Sequence, residues 1–121
     1  MAWELDSDRP IYAQIVDIIQ IQIVSGYYKP GEKLPSVRDL AAIAAVNPNT
    51  MQKAFAELER NGLIVTQRTT GRTVTLDEEV IKNSRQNMAK QHVEVFIKNM
   101  KELGFSLEDV KSLIEETYNR D

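Results

Sequence analysis

The chain has 121 residues, no cysteine, one histidine and a formal net charge of −3. This length suits one small domain with an appendage, not two full domains. The lack of cysteine excludes a disulfide framework and any thiolate metal site, and it fits a reducing compartment, the cytoplasm.

At 42% hydrophobic residues the chain is too apolar to be disordered. Yet no apolar run nears the roughly 20 residues of a membrane span, so no membrane partner is expected. Glu4, Asp6 and Asp8 open the chain where a secretory signal would be basic and apolar. The charge is segregated. Residues 29–76 carry seven basic and four acidic side chains, a net of +3, while residues 1–28 and 77–121 each net −3. A basic middle between acidic ends points to a polyanion facing the middle.

Asp8-Arg9-Pro10 predicts a helix start, with proline at or near the first helical position, where its missing N–H costs nothing. Ile11, Ile15, Ile18, Ile19 and Ile23 recur at helical spacing and predict a core face. Ser25-Gly26 ends the helix, and Tyr27–Gly31 forms a turn. Ser36 reads as an N-cap, with Asp39 completing a variant capping box, and the short helix behind it buries Val37, Leu40, Ala41 and Ala44. Asn47-Pro48 caps and starts a second short helix with Met51, Ala54, Phe55 and Leu58 inward. About three residues separate the two helices, which is helix-turn-helix spacing.

The β-rich runs Leu63–Thr66 and Thr73–Leu76, around the polar loop Gln67–Arg72, predict a hairpin in the position of a wing. Beyond it, Val80, Ile81, Met88, Val93, Phe96, Ile97, Met100 and Leu103 form a long helical pattern that Gly104 breaks. A Ser106-x-x-Asp109 box then caps a last helix carrying Leu107, Val110, Leu113, Ile114 and Tyr118. A 45-residue helical hairpin has too little material for an independent core. Its apolar residues, notably Val93, Phe96, Ile97, Met100, Leu103, Leu113 and Ile114, are therefore expected to dock on the first part or on a second copy of the chain.

The inventory disfavours an enzyme. His92 is the sole histidine, so no two-histidine metal site exists within one chain, and no phosphate-cradling glycine pattern is present. No cofactor is expected. A nucleic-acid reading draws on converging features instead. Opposite its buried side, the second helix of the pair presents Asn49, Thr50, Gln52 and Lys53. Amides can pair with adenine, hydroxyls with either kind of base edge, and lysine with guanine or phosphate. Arg38 lies in the first turn of the preceding helix, where the dipole disfavours a cation unless a phosphate sits nearby. Arg68 and Arg72 flank Thr69-Thr70-Gly71 in the wing and are placed to enter or flank the minor groove.

The series Lys29-Pro30-Gly31-Glu32-Lys33-Leu34-Pro35-Ser36-Val37-Arg38-Asp39-Leu40-Ala41, Val46-Asn47-Pro48-Asn49-Thr50 and Leu58-Glu59-x-x-Gly62-Leu63-Ile64 resembles the winged-helix domain of GntR-family transcription regulators. Pro10-Ile11-Tyr12-x-Gln14-Ile15 and the short helical tail are most similar to the YtrA-type subgroup. The resemblance implies a dimeric repressor of a double-stranded DNA operator, often in control of a transporter operon. It carries DNA contacts to Ser36, Arg38, Asn47, Asn49, Thr50, Lys53 and Gly71. The chain departs from the family pattern at Ala45, where glycine is usual, and in the wing, which lacks one glycine, a basic residue and an aromatic.

The expected architecture is mainly α with a small β-hairpin. It comprises a winged helix-turn-helix domain over residues 1–76 and a short C-terminal helical hairpin over 77–121 that mediates homodimerisation. A small-molecule effector would need a site at the dimer interface, since 45 residues cannot enclose a pocket. The competing readings are a winged-helix module that binds protein rather than DNA, and a small-molecule sensor.

Overall fold

The computed structural model describes residues 3–120. The chain is a winged helix-turn-helix domain followed by a helical C-terminal region, and it divides into two compact units, the first running to Arg85 and the second starting at Gln86.

In the first unit, α1 spans Ile11–Val24 with Pro10 at its N-cap, one residue before the helix proper. Ile15, Ile19 and Ile23 are buried, while Ile11 and Ile18 are only half-buried. Gln14 and Val16 take the remaining inward positions. Gln14 is a polar residue in the core because it is fully bonded. Its Nε2 donates to the carbonyls of Asp6 (2.7 Å) and Arg9 (3.0 Å), and its Oε1 accepts the Asp6 N–H (2.7 Å). The glutamine thus ties down the segment before α1.

Helix α2 spans Val37–Ala44 and α3 spans Pro48–Arg60, so residues 45–47 form the turn between them. Leu40, Ala41 and Ala44 face Met51, Ala54, Phe55 and Leu58 in a core closed by α1. Phe55, Met51 and Leu58 are completely buried, which at roughly 1.5–3 kcal/mol per large apolar side chain makes α3 the central packing element.

Strands β1 (Ile64–Gln67) and β2 (Gly71–Val74) pair antiparallel, Ile64 opposite Val74 and Gln67 opposite Gly71. The loop is therefore three residues, shorter than the composition suggested, and β2 starts two residues earlier than expected. Gly71 makes this possible: its φ of +88° is a left-handed conformation that closes the tight turn. The Thr75 N–H donates to Leu63 O (2.9 Å) and prolongs the pairing. A third extended segment, unmarked by any strand-like pattern, lines the other edge of β2. The Gly31 N–H donates to Val74 O, the Val74 N–H to Glu32 O and the Leu34 N–H to Arg72 O, each at 2.9 Å. These bonds join the wing to the chain that leads into α2.

Helix α4 runs from Glu78 to Glu102 and α5 from Leu107 to Arg120. The first turn of α4 belongs to the first unit, where Val80 and Ile81 pack on the core and Gln20 Nε2 donates to Ser84 Oγ (2.6 Å). In the second unit Gly104 breaks the chain between the helices, and Ser106 and Asp109 cap α5 reciprocally: the Ser106 N–H donates to Asp109 Oδ2 (3.1 Å) and the Asp109 N–H to Ser106 Oγ (3.2 Å). The Ser106 N–H, together with the Ser106 hydroxyl, holds the Asp109 carboxyl below its usual range. Only Val110 is buried in α5. Among the described residues no helix is long and apolar enough to cross a membrane.

Candidate nucleic-acid interface

Two side-chain caps prepare the helix-turn-helix pair. Ser36 Oγ accepts the Asp39 N–H (3.0 Å) at the start of α2, and Asn47 Oδ1 accepts the Asn49 N–H (2.7 Å) at the start of α3. In each case the cap uses an acceptor and leaves a donor, the Ser36 hydroxyl proton and the Asn47 amide, free to meet an anion. Both residues are exposed. The first turn of α3 is thus fixed by Asn47 and Pro48 together.

Along α3, Asn49, Gln52 and Lys53 are exposed and Thr50 is half-buried, opposite the buried stripe of Met51, Ala54, Phe55 and Leu58. Lys53 is not a loose cation. Its Nζ lies 3.9 Å from the centroid of the Tyr12 ring on α1, a cation–π contact that orients it. Arg38, in the first turn of α2, is exposed and has no carboxylate within ion-pair distance among the described residues.

Between the start of α2 and the wing tip runs an open groove of about 730 Å³. Ser36, Val37 and Asp39 line one side and Thr69, Thr70, Gly71 and Arg72 the other. Tyr28 also lines it, and its phenol stays protonated because burial raises its pKa, with Tyr27 and Glu32 adding to the effect. Glu32 is occupied in part by accepting the Lys29 N–H (2.9 Å). A Cβ on Gly71 would meet Lys33 Cε at 3.7 Å, so exposed Lys33 stands beside the wing tip.

The two wing arginines part company. Arg68 is exposed in the loop. Arg72 shares the inner face of β2 with Val74 and turns back toward α3: its Nε donates to Glu59 Oε1 at 2.8 Å, and its guanidinium lies 5.4 Å from the Phe55 ring centroid. Arg72 thus lines the groove while its Nε is engaged by Glu59, an ion pair that its position beside the loop did not suggest. The Arg72 hydrogen bond holds the Glu59 carboxyl below its usual range against the opposing effect of burial, and the Thr66 hydroxyl also favours the ionised form.

Sequence reading missed Glu59, Tyr12, Lys33 and Thr66. A signal for Glu59 exists. Period-two alternation puts Arg72 on the same strand face as core residue Val74, and an inward arginine requires a carboxylate. Among the described residues no cluster of three or more metal-ligating side chains is present.

A capped helix with an exposed polar stripe, preceded by a three-residue turn and followed by a hairpin, defines a winged helix-turn-helix DNA-binding regulator. The sequence profile of bacterial regulatory proteins of the gntR family matches residues 11–74, and the chain belongs to that family. It is 38% identical to the Bacillus subtilis regulator YhcF over 107 residues, covering 88% of each chain. It is also 38% identical to the B. subtilis transcriptional repressor YtrA over 111 residues, covering 91% of this chain and 85% of YtrA. A GntR-family regulator from Listeria monocytogenes superposes with a TM-score of 0.88 at 43% identity, covering 93% of this chain and 98% of that one. The DNA-binding domain of AraR, solved in complex with its operator ORX1, is 28% identical with a TM-score of 0.54, covering 62% of this chain and 92% of that one. These relatives place the chain with the YtrA-type members of a family of transcription regulators.

Proposed function

We propose that the chain is a cytoplasmic transcription repressor that binds a pseudo-palindromic operator as a homodimer, with control of a transporter operon as the expected role. One observation carries this reading: α3 is capped by Asn47, starts on Pro48 and exposes Asn49, Gln52 and Lys53 in one stripe. This is a preformed surface for base edges in the major groove. Thr50 adds a hydroxyl at the margin of that stripe. Ser36 and Arg38 hold phosphates, Asn47 offers its amide, and the wing brings Arg68 and the Gly71 backbone to a neighbouring groove.

The second unit supports dimerisation. Val93, Phe96, Leu103, Leu113 and Ile114 are exposed, Ile97 and Met100 are half-buried, and Phe105, Leu107 and Tyr118 add to the uncovered apolar area. So much exposed apolar surface on a small helical hairpin marks an association face. The cavity inside this unit, between Ile97, Met100, Phe105, Leu107 and Val110, is only about 80 Å³. A ligand pocket takes at least ~300 Å³, so this cavity alone does not hold a small-molecule effector.

The test is a competition gel shift with the DNA upstream of the chain's own operon. Operator DNA should compete far better than random DNA, and affinity should fall steeply with salt as counterions are released. Equal competition by random DNA would reject sequence-specific recognition. A flat salt dependence would favour a protein-binding module. Arg38→Ala should weaken operator and random DNA alike, as a phosphate contact does.

A further inference from the structure

The wing has a second attachment to α3 beyond its apolar base. Ile64 and Val74 form the last buried cross-strand pair, and the next pair outward on the same face is Thr66 and Arg72. Glu59, from the last turn of α3, reaches this pair. Its carboxylate accepts Arg72 Nε at 2.8 Å. This acidic side chain thus holds the inner face of β2, and the Arg72 guanidinium also lies 5.4 Å from the Phe55 ring centroid. Phe55 is itself completely buried, so the anchor is fixed. Arg60, the neighbouring cation, is engaged elsewhere, donating to Glu57 Oε1 at 2.9 Å. Only Gln67 and Gly71 separate the Thr66–Arg72 pair from the three-residue loop, so a small change of angle at Arg72 displaces Arg68.

We propose that Glu59 and Arg72 are positioning residues for DNA recognition, clamping the wing to α3 so that Arg68 and the exposed stripe of α3 engage adjacent grooves together. This rests on the DNA-binding reading above. The clamp converts two separately attached reading elements into one rigid pair, which raises the effective concentration of the wing once α3 has docked. Arg72, though cationic and in the wing, acts through Glu59 rather than on a phosphate.

The full-length protein is used to select a site from a randomised duplex library, and variants are measured on the selected duplex and on random duplex. If the wild type enriches no sequence, the DNA-binding reading fails, and the clamp with it. Given enrichment, Glu59→Gln is decisive, because the two roles for Arg72 predict opposite signs. Loss of the clamp should lower affinity for the selected duplex about tenfold, a coupling typical of neighbouring groups, without lowering affinity for random duplex. Were Arg72 a phosphate contact held back by Glu59, the same change would free it and raise affinity for both.

Arg72→Gln should match Glu59→Gln and leave the salt slope unchanged. A slope reduced by about 0.9 would mark a direct phosphate contact and overturn the proposal. Arg68→Ala should cost less in the Arg72→Gln background than alone; equal costs in both would overturn it too. The reciprocal swap Glu59→Arg with Arg72→Glu restores the pair and should recover part of the selected-site affinity. Failure of the single variants to affect affinity at all would also reject the clamp. Thermal melts of every variant separate these effects from unfolding, since both partners are at least a quarter exposed.

Discussion

Ala45 occupies the left-handed region, with φ of 61° and ψ of 47°, as the C-cap of α2. The turn keeps the conformation that glycine usually provides in this family, and alanine bears the strain of Cβ against the following carbonyl. Ala45→Gly should therefore stabilise the domain by about 0.5–1 kcal/mol in chemical denaturation, the relief of strain being partly offset by the entropy of an unfolded glycine. A loss of stability would show the turn to be unstrained. The Glu59–Arg72 pair has a defined pH signature. The folded pKa of Glu59 is depressed, so its contribution is full above the ordinary glutamate value and is lost as pH falls through the lower, folded value. The stability difference between wild type and Glu59→Gln, present at neutral pH, should close in acid. A difference that grows on acidification would contradict the pair.

At both helices of the pair the cap uses one atom of a side chain and leaves another for the proposed DNA contact, and substitution can separate the two roles. Asn47→Asp keeps an equally good cap for the Asn49 N–H but removes the amide donors and adds negative charge. Folding stability should hold while operator affinity falls by tenfold or more, at about 1–3 kcal/mol per lost contact. Unchanged affinity would reduce Asn47 to a structural cap.

The elements themselves were largely legible from the residues, because caps, prolines and apolar spacing act locally. Asn47-Pro48 and Ser106-x-x-Asp109 mark their helix starts where the structure has them. What was not legible is long-range. The segment 31–34 has no strand-like composition and extends only because β2 offers it an edge. Gln14 interrupts an apolar stripe yet is buried, since its partners lie five and eight residues away in an irregular segment. Arg72 read as a tip residue because the loop is shorter than its polar composition implied. The stripe of α3 was readable from helical period alone; the clamp behind the wing was not, as Glu59 and Arg72 lie 13 residues apart on different elements.

For the molecule as a whole, the apolar residues of the second unit are exposed in the single chain, so replacing one should break association without unfolding the first unit. Phe96→Glu should yield a monomer by light scattering, with the melting of the DNA-binding domain nearly unchanged and operator affinity lowered about 10²-fold or more through loss of paired half-sites. A dimer that persists would place the interface elsewhere. Truncation belongs after Arg85 rather than after Leu76, because Val80 and Ile81 at the start of α4 pack on the first core. Residues 29–76 carry +3 within a chain of −3. On the dimeric DNA-binding reading proposed above, attraction to arbitrary DNA is modest, and selectivity comes from base contacts and from pairing two sites.

The caps on α2 and α3 have a calorimetric consequence. Ser36 builds the first turn of α2, and Asn47 with Pro48 that of α3, before any duplex arrives. No helix has to be ordered on binding, so the heat-capacity change of association should reflect rigid docking alone, without the extra ~1,000–3,000 Å² of burial that accompanies coupled folding.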